Sequence, residues 1–210
     1  MNARPLVLIG GGGHCRSVID AAESTGLLIR GILERAGARS GSCLGYPVLG
    51  DDSLMALLAA DCDFVVTVGS VASAELRRKL HMLVKEAGGR LATVVASTAH
   101  VSRHASVGAG TVVLHNAHIG PGATIGCGCI VNSGAVAEHD ASVGDCTHIS
   151  TRAVLNGGVS VGSACLIGSG AVLAQGVTIP DNTIIGAGAV VLHSITESGT
   201  YAGVPTRRIK

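Results

Sequence analysis

One histidine of the chain stands between two acids, in the order Glu138, His139, Asp140. A carboxylate beside an imidazole orients the ring, sets its tautomer and raises its basicity, which are the properties of a general base near pH 7. We therefore predict that His139 is a catalytic base that takes a proton from an attacking nucleophile, with Asp140 and Glu138 as its acidic partners. From spacing alone, an exposed histidine with incidental acidic neighbours remains the alternative.

Four consecutive glycines at 10–13 and the following His14 form a second candidate site. They follow an apolar segment that predicts a buried strand, and the residues after them have the spacing of a helix. A strand, a glycine turn and a helix can together bind phosphate through backbone N–H groups at the helix N-terminus. The dinucleotide fingerprint Gly-x-Gly-x-x-Gly is incomplete, because its third glycine falls on Cys15 or Arg16. The turn therefore predicts phosphate binding of some kind, and a tight turn without a ligand remains open.

The remaining histidines and the seven cysteines indicate no metal site. His100 and His118 are 18 residues apart, which favours a stacked polar pair over a metal pair, and no trio of histidines converges by spacing. His81 is predicted on a solvent-exposed helix face. Cys129 and Cys165 are expected to be buried, reduced thiols, which indicates a cytoplasmic protein.

The elements that position these candidates follow two different patterns, of which the longer repeats every six residues from Val101 to about Leu192. A small or β-branched residue recurs in a second column from Ala105 to Ala189, and glycine often follows the first column. A fixed period of six is typical of parallel β-helices. The first column is aliphatic throughout and consists of Val101, Val107, Val113, Ile119, Ile125, Val131, Ala137, Val143, Ile149, Leu155, Val161, Ile167, Leu173, Ile179, Ile185 and Val191.

In such a fold three hexads close one triangular coil, with the aliphatic side chains inside. Fifteen hexads predict five coils, and a spacing of about 4.8 Å between coils gives a rod on the order of 24 Å long. Glycine and asparagine, as at Asn132, Asn156 and Asn182, are expected to serve corners whose backbone conformation β-branched residues resist.

The first part of the chain alternates predicted strands with predicted helices, which indicates a small open α/β domain. Strands are predicted at 5–9, 28–33, 46–49, 63–68 and 91–95, and helices at 15–24, 51–60 and 71–87. The predicted organisation is an α/β domain at 1–92, a β-helix at 93–196 and a C-terminal tail at 197–210.

Composition and charge exclude several classes of protein. With 31 glycines, no tryptophan, one phenylalanine and two tyrosines, the chain lacks the residues of an ordinary aromatic core, which a narrow aliphatic prism does not need. A net charge of +1 argues against nucleic acid as a partner, since phosphate backbones require a basic face. We also expect no membrane partner, because the N-terminal segment is not of signal-peptide type and no apolar run reaches spanning length.

Five stretches of the sequence carry a family resemblance. Through them nearly the whole chain resembles the sialic acid O-acetyltransferase-like (NeuD/PglD-type) nucleotide-sugar acetyltransferases of the hexapeptide-repeat superfamily. The resemblance implies a Rossmann-like N-terminal domain followed by a left-handed parallel β-helix. The stretches are Leu8-Ile9-Gly10-Gly11-Gly12-Gly13-His14, Val66-Thr67-Val68-Gly69 with Leu76-Arg77-Arg78-Lys79-Leu80, Asn132-Ser133-Gly134-Ala135-Val136-Ala137-Glu138-His139-Asp140, Gly144-Asp145-Cys146-Thr147-His148-Ile149-Ser150, and Ala202-Gly203-Val204-Pro205-Thr206-Arg207-Arg208-Ile209.

The same resemblance implies a homotrimer with acetyl-CoA in the groove between neighbouring prisms. It also implies His139 as the catalytic base, with Asp140 as its polarising carboxylate. The residues it implies around acetyl-CoA are Asn132, His148, Gly157, Ser169, Ala187, Pro205 and Arg207, together with Arg208. Those it implies around the nucleotide sugar are Gly12, Gly13, His14, Glu34 and Gly69.

The reaction implied by the resemblance is acetylation of the 4-amino group of a nucleotide-linked amino sugar, of the UDP-4-amino-4,6-dideoxy-sugar type, by direct transfer from acetyl-CoA. O-acetylation of a sialic acid, N-acetylation of GDP-perosamine and a non-catalytic trimeric binding module remain alternatives. The uridine assignment is open, because UDP-sugar members often carry an acidic pair after the second strand, where this chain has Glu34 and Arg35.

Overall fold

The computed structural model of the chain describes residues 4–35, 41–69 and 74–210. It divides into an α/β domain, a three-faced parallel β-helix and a short C-terminal hairpin. The alternation of strands and helices and the six-residue period therefore predicted the fold class correctly.

The α/β domain is built on one six-stranded sheet, in the order β3-β4-β2-β1-β5-β6. All its neighbouring pairs are parallel except β3 with β4, which is antiparallel. The strands are β1 (Leu6–Ile9), β2 (Ile29–Leu33), β3 (Ser42–Cys43), β4 (Tyr46–Gly50), β5 (Asp63–Val66) and β6 (Arg90–Leu91), and the helices are α1 (Gly13–Glu23), α2 (Met55–Leu58, after a 3₁₀ turn at Asp52–Leu54) and α3 (Glu75–Glu86).

Two of the predicted elements differ from those observed. The helix predicted at 51–60 is only the short turn and α2, although Asp51 caps it as a helix start should, accepting a hydrogen bond from the Ser53 backbone N–H at 3.0 Å. The strand predicted at 91–95 is two strands, since β6 completes the first sheet and Val94–Val95 is the first strand of the β-helix. The predicted start of the third helix at 71 lies outside the described residues.

The β-helix consists of two-residue strands stacked in three parallel sheets of six, six and five strands. The first sheet, the domain face, contains Val94–Val95, Val112–Val113, Ile130–Val131, His148–Ile149, Leu166–Ile167 and Ile184–Ile185. The second, the valine face, contains His100–Val101, His118–Ile119, Val136–Ala137, Val154–Leu155, Val172–Leu173 and Val190–Val191. The third, the hydroxyl face, contains Ser106–Val107, Thr124–Ile125, Ser142–Val143, Ser160–Val161 and Thr178–Ile179.

In each strand the second residue points into the prism and the first points out. From Val113 to Val191 the whole aliphatic column is buried, together with the small column from Ala117 to Ala189. The first residues tell the faces apart. They are buried or half-buried on the domain face, half-buried valines over most of the valine face, and exposed serines and threonines on the hydroxyl face.

The glycines that follow the aliphatic column have a steric and not a conformational reason. A Cβ on Gly144 would lie 2.6 Å from the Ser163 nitrogen, and one on Gly168 would lie 2.5 Å from the Ala187 nitrogen, in both cases in the next coil. These two glycines do not have positive φ. The left-handed conformation occurs elsewhere at the corners, at Asn182 and at Gly158 for example. The corner prediction is therefore right for Asn182 and wrong for Asn132 and Asn156.

Helix α3 fastens the α/β domain to the prism. His81 is only 7% exposed, so the prediction of a solvent-exposed residue is wrong. Its ring fits against Gly110 and Gly128, where an added Cβ would lie 2.6 and 2.9 Å from its Cε1. Arg77, one turn earlier, is buried on the same side of the helix.

The C-terminal tail folds as a hairpin on the end of the domain face. Thr200–Ala202 pairs in parallel with Ile184–Ile185, and Arg207–Arg208 pairs back onto it in antiparallel orientation. The tail thereby covers the edge of the last coil.

Candidate active site

The central pair of the site is His139 and Asp140, which are exposed at the corner after the valine face. The ring Nδ1 of His139 lies 2.9 Å from Oδ2 of Asp140, and 56% of the His139 side chain is exposed. Because a carboxylate only accepts, Nδ1–H donates to it and the lone pair of Nε2 remains available. This is the arrangement of a general base with an orienting acid.

The backbone around this pair leaves the room that it needs. Asp140 has a φ of 61°, a conformation that Asp tolerates better than most residues. A Cβ on Gly122 would collide with Oδ1 of Asp140, and one on Gly157 would collide with Nε2 of His139. The imidazole of His139 therefore packs directly against the backbone of Gly157, where a side chain would displace it.

Glu138, the other predicted partner, is not bonded to the ring. Its side chain is half-buried, and within the described part of the chain it makes no hydrogen bond or ion pair. Of the two acids, the structure pairs only Asp140 with His139.

Asn132 and His148 form a second polar pair, on the domain face. The Nδ2 of Asn132 lies 3.2 Å from Nε2 of His148, and Oδ1 of Asn132 accepts the Ser133 N–H at 2.8 Å. Because Oδ1 is engaged in this way, Nδ2 donates and Nε2 of His148 accepts. His148 is 8% exposed, so this tautomer is held in a largely buried environment.

The glycine turn lines a cleft of about 620 Å³ at the carboxyl ends of β1, β2 and β5. Such crevices at the ends of parallel strands are the usual ligand sites of open α/β sheets. Glu34, which follows β2, accepts the Gly11 N–H at 2.5 Å. Gly69, also predicted to contact the substrate, lines the cleft beside His14, and a Cβ on it would lie 3.9 Å from that of His14.

The four glycines of the turn do different things. A Cβ on Gly10 would lie 2.6 Å from Cγ2 of Val68, and one on Gly11 would lie 2.8 Å from Oε2 of Glu34. Around Gly12 and Gly13, by contrast, no atom of residues 4–35, 41–69 and 74–210 lies within 4 Å of an added Cβ. No contact with these residues explains the two glycines, which lie at the start of helix α1 beside the cleft.

His14 is held neutral at the end of this cleft. Burial, and then the positive charge of Arg77, lowers its pKa to about 3, and His148 contributes in the same direction. Its Nε2 is buried and has no hydrogen-bond partner within the described residues. A buried ring nitrogen without a partner beside a cleft can accept or donate one bond to a ligand.

The remaining predicted residues lie at other corners and on the tail. Ser169 and Ala187 are exposed and stacked on the corner between the domain and valine faces, where the Gly188 N–H donates to the Ser169 carbonyl at 2.9 Å. Pro205 and Arg207 line a small pocket of about 220 Å³ on the tail hairpin. Arg207 is exposed.

Within one chain these residues form separate groups. His139 and Gly157 stack on one corner, where the Gly158 N–H donates to the His139 carbonyl at 2.9 Å. Ser169 and Ala187 occupy a different corner, which Asn132 begins two coils earlier, and the partner of Asn132, His148, lies on the domain face. Of the predicted acetyl-CoA residues, the described chain therefore brings Gly157 to His139 and leaves the others elsewhere on the prism and the tail.

No group of three or more His, Cys, Asp or Glu in residues 4–35, 41–69 and 74–210 could hold a metal ion. His100 and His118 stack as predicted, with ring centroids 4.9 Å apart. All seven cysteines are free, and burial raises the pKa of the Cys129 thiol to about 12. Among the helices described, none is long and apolar enough to cross a membrane.

Comparison with known families places two matches along the chain. The PglD N-terminal domain family matches residues 5–83, and the bacterial transferase hexapeptide family (six repeats) matches residues 158–193. No curated protein sequence matches the chain at a significant level.

Two solved structures resemble the chain over almost its full length. The acetyltransferase domain of PglB from Neisseria gonorrhoeae FA1090 is 32% identical, with a TM-score of 0.92 over 99% of this chain and 100% of that one, and it has also been solved with acetyl coenzyme A. PerB from Caulobacter crescentus, in complex with CoA and GDP-perosamine, is 34% identical, with a TM-score of 0.92 over 100% and 99% of the two chains. WeeI from Acinetobacter baumannii AYE, at 18% identity and a TM-score of 0.66, shares the fold.

Proposed function

Because the chain belongs to the NeuD/PglD-type acetyltransferases of the hexapeptide-repeat superfamily, we propose that it moves the acetyl group of acetyl-CoA to the 4-amino group of a nucleotide-linked amino sugar. The observation that carries this proposal is the exposed His139–Asp140 pair, whose Nε2 is available above Gly157. The PglB domain was solved with acetyl coenzyme A and PerB with GDP-perosamine, which supports both the donor and the class of acceptor.

In the proposed mechanism the sugar amine attacks the thioester carbonyl directly, without a covalent enzyme intermediate. Nε2 of His139 takes the proton that the amine loses, and Asp140 stabilises the imidazolium that forms. The tetrahedral intermediate then expels the CoA thiolate, which receives the proton from His139, and the amide is left on the sugar. A backbone N–H stabilises the oxyanion. Variants of one histidine of the Caulobacter N-acetyltransferase have been solved with CoA and GDP-perosamine.

The two substrates occupy different parts of the molecule in this proposal. The nucleotide sugar binds in the cleft of the α/β domain (1–92), with its diphosphate at Gly12, Gly13 and His14 and its nucleoside near Glu34. Acetyl-CoA binds along the β-helix (93–196), past Gly157, with the tail (197–210) over its nucleotide end. Open space at Gly12 and Gly13 supports the first assignment.

The proposed enzyme is a homotrimer. His139 and the pair Ser169 and Ala187 lie on different corners of one prism, so a site that contains both needs a second copy. The outward valines of the valine face, Val136, Val154, Val172 and Val190, are half-buried and apolar, whereas the hydroxyl face is polar and exposed. An apolar sheet face of this kind is suited to burial against other copies.

Self-association can be tested by a matched pair of substitutions. Val154→Glu places a charge on the valine face, and Ser160→Glu places the same charge on the hydroxyl face. We expect light scattering to give a trimer mass for the wild type and Ser160→Glu, and a smaller mass with little activity for Val154→Glu. Equal masses and activities for the two variants would contradict the proposed interface.

The reaction is tested by CoA release from acetyl-CoA in the presence of UDP-, GDP- and dTDP-linked 4-amino sugars and of free sialic acid. We expect turnover with a nucleotide 4-amino sugar, of the UDP-4-amino-4,6-dideoxy type, and an acetamido product by mass spectrometry. Turnover with sialic acid alone would indicate an O-acetyltransferase. Turnover only with GDP-perosamine would show that the nucleotide of the substrate is GDP and not UDP. Binding without any CoA release would indicate a non-catalytic module.

A further inference from the structure

Arg77 is a buried cation that the mechanism above does not use. It is 1% exposed, and among the described residues its guanidinium donates hydrogen bonds to backbone carbonyls alone. Nε donates to Gly128 O at 2.6 Å, and Nη1 donates to Val66 O at 2.7 Å and Val68 O at 2.9 Å. The side chain therefore ties the end of strand β5 to a corner of the prism.

The charge of Arg77 has no acidic partner. No carboxylate of the described residues forms an ion pair with it, and the segments 1–3, 36–40 and 70–73 contain no Asp or Glu. Burial lowers its pKa to about 10, so the guanidinium is still charged at pH 7. A buried charge without a counter-charge is costly, and carbonyl dipoles offset only part of that cost.

The position of this charge relates it to the cleft. Val68, whose carbonyl accepts from Nη1, lines the cleft together with Gly69 and His14. The N-terminus of helix α1, at Gly13, points its own partial positive charge into the same space. The acids that line the cleft are Glu34 and Asp52, and Glu34 is already bonded to the N–H groups of Gly11 and Arg35.

We propose that Arg77 supplies the counter-charge for the diphosphate of the nucleotide sugar, acting through the Val66–Val68 backbone that it holds in place. This inference rests on the proposed function, and it assigns a role in substrate binding to Arg77, which does not itself line the cleft. A diphosphate at Gly12 and Gly13 would compensate a charge that the free protein leaves uncompensated. Because the guanidinium is buried, salt would screen this attraction only weakly.

A carboxylate placed beside Arg77 can neutralise its charge without breaking its hydrogen bonds to the backbone carbonyls. Cys146 is 8% exposed, and its Sγ lies 3.1 Å from where a Gly128 Cβ would be, beside the carbonyl that Arg77 Nε binds. Its φ is 55°, which both Asp and Asn tolerate. Cys146→Asp therefore places a carboxylate near Arg77, and Cys146→Asn is its uncharged control.

Calorimetry with UDP, GDP and the nucleosides uridine and guanosine then tests the proposal. We expect the nucleoside diphosphates to bind about ten-fold more weakly to Cys146→Asp than to Cys146→Asn, and the nucleosides to bind the two equally. In kinetics the KM for the nucleotide sugar should differ between the variants, whereas kcat and the KM for acetyl-CoA should not. Equal diphosphate affinities, or an equal loss for the nucleosides, would overturn the proposal.

A second pair of variants keeps the test decisive if Cys146→Asp does not fold. Arg77→Lys retains the charge with fewer donors and Arg77→Met removes both, so diphosphate affinity should fall further for the methionine. Equal affinities would count against the role of the charge. A wild type that binds UDP, GDP or dTDP but transfers no acetyl group would refute the proposed function alone, and one that binds none of the three would refute both.

Discussion

The two histidines of the proposed reaction, His139 and His14, occupy opposite environments. His139 lies on an exposed corner of a rigid prism with a carboxylate on its Nδ1. His14 lies at the end of a cleft, where burial and Arg77 lower its pKa to about 3. The first can exchange a proton with a substrate, and the second stays neutral at every physiological pH. One position is therefore suited to chemistry and the other to binding.

The largest effect should come from removing the exposed histidine. His139→Ala should lower kcat by about 10²–10⁴-fold, because Nε2 of His139 is the proposed acceptor of the proton that the amine loses. The KM values for both substrates should change little, since binding is proposed to rely on the cleft and on a groove along the β-helix. Steady-state kinetics of CoA release would check this, and a kcat close to that of the wild type would exclude His139 as the base.

A smaller and opposite pattern is expected at the cleft. Gly13→Val should raise the KM for the nucleotide sugar by about ten-fold, because its side chain enters space that no atom of the described residues fills and that the phosphates are proposed to occupy. The KM for acetyl-CoA serves as the internal control and should not change. Equal damage to both KM values would contradict the separation of binding from chemistry.

The smallest effect concerns the pH dependence of stability. Burial lowers the pKa of His81 to about 4, so between pH 6.5 and 4 the unfolded chain binds a proton that the folded chain does not. Stability therefore falls on acidification, by up to about 1.4 kcal/mol per pH unit for one such histidine, and His14 adds to the loss in the same direction.

Substitution of His81 should make this loss less steep. Urea unfolding at pH 7 and pH 5 would compare wild type with His81→Gln, and with His193→Gln as an exposed control. We expect a smaller difference between the two pH values for His81→Gln alone. Identical differences for all three proteins would show that His81 does not titrate on unfolding.

Much of this arrangement could be predicted from the sequence, because it is periodic or local. The period of six fixes which residues point into the prism, and adjacent residues such as His139 and Asp140 can bond without help from the rest of the fold. Most elements of the α/β domain followed from their apolar runs and from the glycine turn.

Contacts between distant segments could not be predicted in the same way. An arginine and a histidine on a charged helix normally indicate a solvated face. The one local sign that Arg77 and His81 are buried is their spacing of four residues, which puts them on the same side of the helix as Leu80 and Val84. Which glycines of the prism they contact cannot be read from the local sequence. The steric reason for Gly157 likewise depends on the neighbouring coil.

The close approach of the backbone at Gly168 sets the spacing between its coil and the next coil, which contains Ala187. A side chain on Gly168 would push the coil of Ala187 away along the prism axis, together with the hairpin that carries Pro205 and Arg207. The coils of His139 and Gly157 would keep their positions. A single added methyl group could therefore change the reach between the reacting end and the far end of a long cosubstrate without touching either one. In this architecture the glycines between neighbouring coils set the distances along the prism axis.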